Sequence, residues 1–270
     1  MTHILPTLVA LLAIQAAVSI GSIAGPVLAP LVADHLGVEP YLVGLYVAAT
    51  YGAAAVAGLM SGGMIVRYGA IRTCQACLVL TALSLALGAL GSLWALPAAA
   101  LAMGAGYGPT TPASSHILAR LTPPHLVNFV FSLKQTGVPL GNALGGALLP
   151  AAALALGWQG AALAVALICL ALALAVQPLR PTLDADRQSG RAALSRSHAT
   201  TALRLVWESR PIRMLALISL TYSGMQVSLS AFLVTYLHDD LALGLVTAGF
   251  LLTASQLAGV GGRLLWGVTA

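Results

Sequence analysis

Polar side chains are scarce in this sequence, and those that interrupt its apolar stretches are of types that bind rather than react. The densest run is Gly104-Ala105-Gly106-Tyr107-Gly108-Pro109-Thr110-Thr111-Pro112-Ala113-Ser114-Ser115-His116, in which Tyr107, Thr110 and Thr111 offer hydroxyls among residues that weaken a helix. Backbone groups freed by glycine and proline are tolerated at membrane depth only against protein or a water-filled cavity, so this run is expected to line a solute path. The alternative is that its Thr and Ser hydroxyls bond back to carbonyls of their own helix. Lys134, Gln135 and Asn142 follow, and Gln15, Ser19, Tyr222, Gln226 and Gln256 complete a set of amides and hydroxyls suited to holding a small solute. Lys134 has two readings. It lies about two turns from the end of its apolar segment and can snorkel to the interface, or it can turn inward as a cationic contact to an anionic solute.

Covalent chemistry finds no convergent set. There is no HExxH, the histidines are scattered, and no serine is paired with a base, which argues against an enzyme. Cys74 and Cys77 are spaced CxxC without a second ligand pair, so they read as packing residues, with no metal and no cofactor expected. His35 beside Asp34 and His238 beside Asp239 form either a pH-sensitive pair or solvated helix ends. No Asp or Glu falls inside an apolar segment, so a coupling proton, if it is a partner, would use Lys134, a histidine such as His116, or groups elsewhere.

The elements that carry these residues follow from composition. With 59% hydrophobic and 7% charged residues in 270, the chain lacks the polar surface of a soluble domain. Its partner is the lipid bilayer. Apolar stretches of about 20 residues span a hydrocarbon layer of about 30 Å as helices, and eight are expected: Thr7 to Val32, Tyr41 to Val66, Cys74 to Leu96, Pro97 to Ala119, Phe129 to Leu156, Gly160 to Val176, Ile212 to Leu237 and Leu243 to Val268. They lack strand-like alternation, so the fold class is an all-α polytopic membrane protein. Arg67, Arg72, Arg120 and the six arginines between Arg180 and Arg210 fall in alternate gaps, Arg213, Lys134 and Arg263 adjoin the same side, and the opposite gaps hold Asp34, Glu39, Asp239 and Asp240. All twelve basic residues agree on a cytoplasmic amino terminus, in what is expected to be a bacterial inner (plasma) membrane. The net charge of +5 is explained by these loops and calls for no nucleic acid.

Asp34, Leu36, Gly44 and Gly62 recur 205 positions later as Asp239, Leu241, Gly249 and Gly267, a distance that reads as duplication of a multi-segment half. The chain divides accordingly into residues 1–176, a six-helix bundle; residues 177–211, a cytoplasmic linker rich in Arg, Ser, Asp and Pro; and residues 212–270, the first two helices of a second bundle. Within the linker, Ala202 to Ser209 is either a short surface helix with Arg204 four residues before Glu208, or a tether.

Four stretches resemble the major facilitator superfamily of secondary transporters. Gly25 to Val38 looks like its proline-rich first-helix signature. Gly62, Arg67, Gly69 and Arg72 are similar to its cytoplasmic loop motif, with Val66 where the motif places Asp, so the usual charge latch lacks its acid. Gly137, Pro139, Gly141, Gly145 and Gly146 are similar to the glycine–proline signature of the family's antiporters, although glycines four apart are also the ordinary means of packing membrane helices. Gly261 to Gly267 is similar to the second-half copy of the loop motif. The resemblance implies a carrier that moves a small-molecule substrate by alternating access, with an antiporter as one form. Because the second repeat has two helices here, the alternative is a non-transporting fragment of such a carrier, and a longer version of the chain is expected to be the one that transports.

Overall fold

The computed structural model describes residues 4–188, 200 and 204–269, and no strand occurs among them. The helices are α1 (Ile4–Leu36), α2 (Val43–Tyr68), α3 (Ala70–Ala89), α4 (Leu96–Leu121), α5 (Val127–Gln135), α6 (Gly137–Ala175), the single turn α7 (Arg180–Leu183), α8 (Arg210–Thr235) and α9 (Leu245–Thr269). Six helical stretches among the described residues are long and apolar enough to cross a membrane. One of them, Pro124–Leu183, has 60 residues and as a straight helix would be about 90 Å long, three times the hydrocarbon thickness. It folds back at Gly157, whose φ of 75° and ψ of 160° break the helix. Beyond the break Trp158 meets the His35 ring edge-on at 5.5 Å, and at the far end the Ala173 carbonyl accepts from Gln75 Nε2 at 2.8 Å. The two limbs of α6 are therefore separate crossings, and α4, less hydropathic because of its Gly, Pro, Thr and Ser, packs between α2 and α3.

Two expected boundaries move. The third segment was expected to reach Leu96, but α3 ends at Ala89, where Gly91 at φ 61° turns the chain and α4 restarts with Pro97 in its first turn. The fifth segment was expected as the single stretch Phe129 to Leu156; it is broken between α5 and α6, one turn before Pro139, which has no N–H to give the carbonyl of Gln135, the last residue of α5. Conversely α4 stays unbroken through Pro109 and Pro112, supported by close neighbours on both sides. A Cβ on Gly104 or Gly108 would collide with backbone of α2, and one on Gly106 would press on the Cys77 carbonyl of α3. Cys74 and Cys77 are buried in the core with Leu11, Ile14, Val18, Leu78, Met103 and Ile117.

At the end of the bundle that carries the basic residues, the chain after α6 returns onto the loop between α2 and α3. Asp184 is buried and accepts from the backbone N–H of Ile71 at 2.7 Å and of Arg72 at 3.1 Å, the first turn of α3. Gln75 Nε2 donates to Gln177 Oε1 at 2.7 Å, and Gln188 N–H donates to the Val66 carbonyl at 2.7 Å. Asp186 meets His116 Nε2 at 2.7 Å and Arg120 Nη1 at 2.5 Å at the end of α4. Residues 204–208 are helical, with Arg204 Nε 2.5 Å from Glu208 Oε1; residues 202 and 203 of the expected surface helix lie outside the described residues.

Candidate functional site

Among the described residues, cavities open inside the bundle, and two of them differ sharply in their walls. One, of about 520 Å³, lies at the end opposite the basic residues between α1, α2, α4 and Trp158, and its walls are almost wholly apolar. The other, of about 680 Å³, lies at mid-depth between the first six crossings and the α8–α9 hairpin, and it collects polar side chains from α1, α2, α4, α5, α6, α8 and α9. The second is the candidate site, because a solute needs groups that fix its orientation and the first offers few.

Tyr107 and Thr111 reach this cavity from α4, Gln135 from the end of α5, Asn142 from α6 and Gln226 from α8. Five of the eleven expected path residues are thus together. The α4 run divides its labour by helical spacing: Thr110 and Ser114 donate back to the carbonyls of Gly106 at 2.9 Å and Thr110 at 2.8 Å, whereas Thr111 Oγ1 donates across to Gln15 Oε1 at 3.3 Å. Thr110 and Ser114 thus bond within their own helix, while Tyr107 and Thr111 face the cavity. Gln15 and Ser19 are buried behind the cavity wall on α1, with Gln15 Nε2 and Ser19 Oγ unpartnered. Gln256 donates to Ser230 Oγ, a lining atom, at 3.0 Å, and Tyr222 lies outside the lining, 63% exposed.

Lys134 turns inward. It is 1% exposed, and Nζ donates to the Thr111 carbonyl and to Ser115 Oγ, each at 3.3 Å, with no carboxylate pairing it among the described residues. The cavity also holds Arg263 from α9, near enough to act electrostatically on the Tyr107 phenol, and Tyr51, whose ring meets that of Tyr107 edge-on at 5.7 Å. The sequence reading used Arg263 for orientation and missed it as a lining residue.

The glycine stripe packs as its spacing requires. A Cβ on Gly137 would touch Gln15, one on Gly141 would collide with Ala16 and Ser19, and one on Gly145 with Ile23, so this face of α6 lies against α1. Gly146 faces the other way, against Gly249 of α9, where each would drive a Cβ into the other's carbonyl; Thr253 Oγ1 donates to the Ala143 carbonyl at 2.9 Å beside them. Gly62, Arg67, Gly69 and Arg72 stand at the α2–α3 loop, where Gly69 adopts φ 96° and leaves room only for Asp184. His35 and His238 do not meet as a pair: His35 stacks on Trp158, and His238 Nδ1 is 2.8 Å from the Leu243 carbonyl.

No curated protein matches this chain. The family model described as Major Facilitator Superfamily matches residues 9–270, nearly the full length. The chain belongs to the Major Facilitator Superfamily.

Proposed function

We propose that the 680 Å³ cavity is the solute path of an alternating-access carrier, in which residues 1–176 form one body, the helices of 212–270 belong to the other, and 177–211 links them on the cytoplasmic side. The observation that carries this reading is the convergence of Tyr107, Thr111, Gln135, Asn142 and Gln226 at mid-depth, from elements on both sides of the linker. Polar side chains without a soluble surface to serve are retained in spans where a solute must be held. The Gly146–Gly249 crossing supplies a contact between the bodies with no side chains to interlock, across which small rotations cost little steric overlap. An antiport cycle is the form the glycine–proline stretch favours, and the basic end is assigned to the cytoplasm by the distribution of arginines.

The test is thiol accessibility. A cysteine placed at Ser223, a cavity-lining position on α8, is expected to react with a membrane-impermeant reagent from both sides of oriented vesicles, at rates that change in opposite directions when the protein is locked in one state by a cross-link. Reaction from neither side would refute the path. Exchange of labelled for unlabelled solute without net flux would establish antiport.

A further inference from the structure

We infer that the solute taken by this cavity is a small organic anion gripped by Arg263, an inference that rests on the cavity's being the solute path. Arg263 is the one formally charged residue in the lining. Every one of the seven Asp and Glu residues of the chain lies outside the spans as read from the sequence, and the ion pairs among the described residues engage Arg120, Arg180, Arg204 and His116, not Arg263 or Lys134. Among the described residues the cavity therefore contains a guanidinium with no counter-charge, and Lys134 stands one layer behind its wall, bonded to the backbone of the lining residue Thr111.

A cation kept at membrane depth without an acid partner is held for something that supplies the charge. The remaining polar groups, among them Tyr51, Tyr107, Gln135, Asn142 and Gln226, are neutral and can each donate a hydrogen bond. A wall with net positive charge and many donors complements an anion and repels a cation. The guanidinium fork matches a carboxylate or phosphate in two parallel hydrogen bonds, and the Tyr51–Tyr107 edge-on pair beside it offers an aromatic surface to an organic body. Arg263 and the N-terminal crossings belong to opposite sides of the linker, so an anion between them would bridge the two bodies.

The experiment reads the sign of the cavity's charge and its ligand together. A cysteine at Ser223, with the chain carrying native Cys74, Cys77 and Cys169 as the blank, is labelled in nanodiscs by neutral, anionic and cationic methanethiosulfonates, with rates normalised to a free thiol. The anionic-to-cationic ratio is expected to exceed that of an Arg263→Gln variant by about tenfold or more, as for charge-focused association in a low-dielectric cleft, and Arg263→Lys should restore most of it. Benzoate, citrate and inorganic phosphate are then compared at equal concentration with choline and glucose as protectants against the neutral reagent. At least one anion should slow labelling more than choline or glucose, and less so in Arg263→Gln. Failure of the neutral reagent to reach the cysteine would refute the solute path itself. Neutral labelling with no anionic excess, or with no anion protecting better than choline and glucose, would overturn the anion assignment and leave the path standing.

Discussion

Asp184 can be tested by its removal. Its carboxylate takes the N–H groups of Ile71 and Arg72, two of the four donors that the first turn of any helix leaves without intrahelical partners. Ile71 is fully buried, so its N–H has no route to water when the carboxylate goes, and losing a charge-assisted bond there costs about 1.5 to 3 kcal/mol. Arg72 is exposed, its N–H rehydrates, and its loss adds about 0.5 to 1 kcal/mol. The Arg180 pairing at 3.7 Å contributes between zero and about 1 kcal/mol. Asp184→Ala is therefore expected to destabilise the bundle by about 2 to 5 kcal/mol, whereas Asp186→Ala, which removes the partly exposed pairings with His116 and Arg120 two residues away, should cost under about 1 kcal/mol. Thermal unfolding in detergent compares the two variants, and hydrogen exchange of a peptide covering residues 69–75 localises the effect. Equal stability of the two, or unchanged exchange at Ile71 in Asp184→Ala, would refute the capping role.

Gly249→Leu forces a side chain into the Gly146 carbonyl, and overpacking of this kind should cost about 1 to 3 kcal/mol and slow exchange between the two accessibility states measured at Ser223→Cys. Lys134→Met keeps the stem and removes a buried charge bonded only to neutral acceptors, so thermal stability should hold or rise while the anionic-to-cationic labelling ratio falls, by less than in Arg263→Gln. Burial raises the Asp239 carboxyl above its ordinary value, and Asp34 and Asp240 add to this against His238. The folded state then holds that proton more tightly than the unfolded chain, so the ionised group costs stability at neutral pH and ceases to as pH falls. Asp239→Asn should accordingly melt higher than wild type at pH 7 and converge with it in acid. Asp186 behaves oppositely: although burial opposes it, the bond from His116 and the charge of Arg120 hold its carboxyl below the ordinary value. Its pairing stabilises above the ordinary carboxylate range and is lost as pH falls through the lowered value, so the deficit of Asp186→Asn should be present at pH 7 and vanish in strong acid.

Membrane crossings were legible because lipid leaves a chain few options. Apolar runs of about 20 residues must be helices there, and the arginines mark alternate gaps. Helix ends were less legible where two spans abut, since Gly157 and Gly91 end helices by backbone angle alone and apolar character continues across them. In the site, Tyr107, Thr111, Gln135, Asn142 and Gln226 were found because polar residues in spans are few. Ser223, Ser228 and Tyr51 were not, because a single hydroxyl in a helix carries no sign of which face it occupies. Asp184 was read only as part of a polar linker. Its role depends on the chain returning more than 110 residues later to the start of α3, a long-range closure that local spacing does not encode.

That closure bears on the loop motif with Val66 in place of its acid. An acid at that position would act from the end of α2; here a carboxylate reaches the same loop from the far side, and Gly69 is the residue that admits it. The substitution changes what the charge controls. A carboxylate fixed to α3 backbone N–H groups cannot leave without stranding the buried Ile71 N–H, so it ties the chain after α6 to the start of α3. In the carrier proposed above, motion between the bodies would be taken up later in the linker or across the Gly146–Gly249 crossing, and the partly exposed Asp186 pairs with His116 and Arg120, which water can replace at little cost, are the contacts able to open and close.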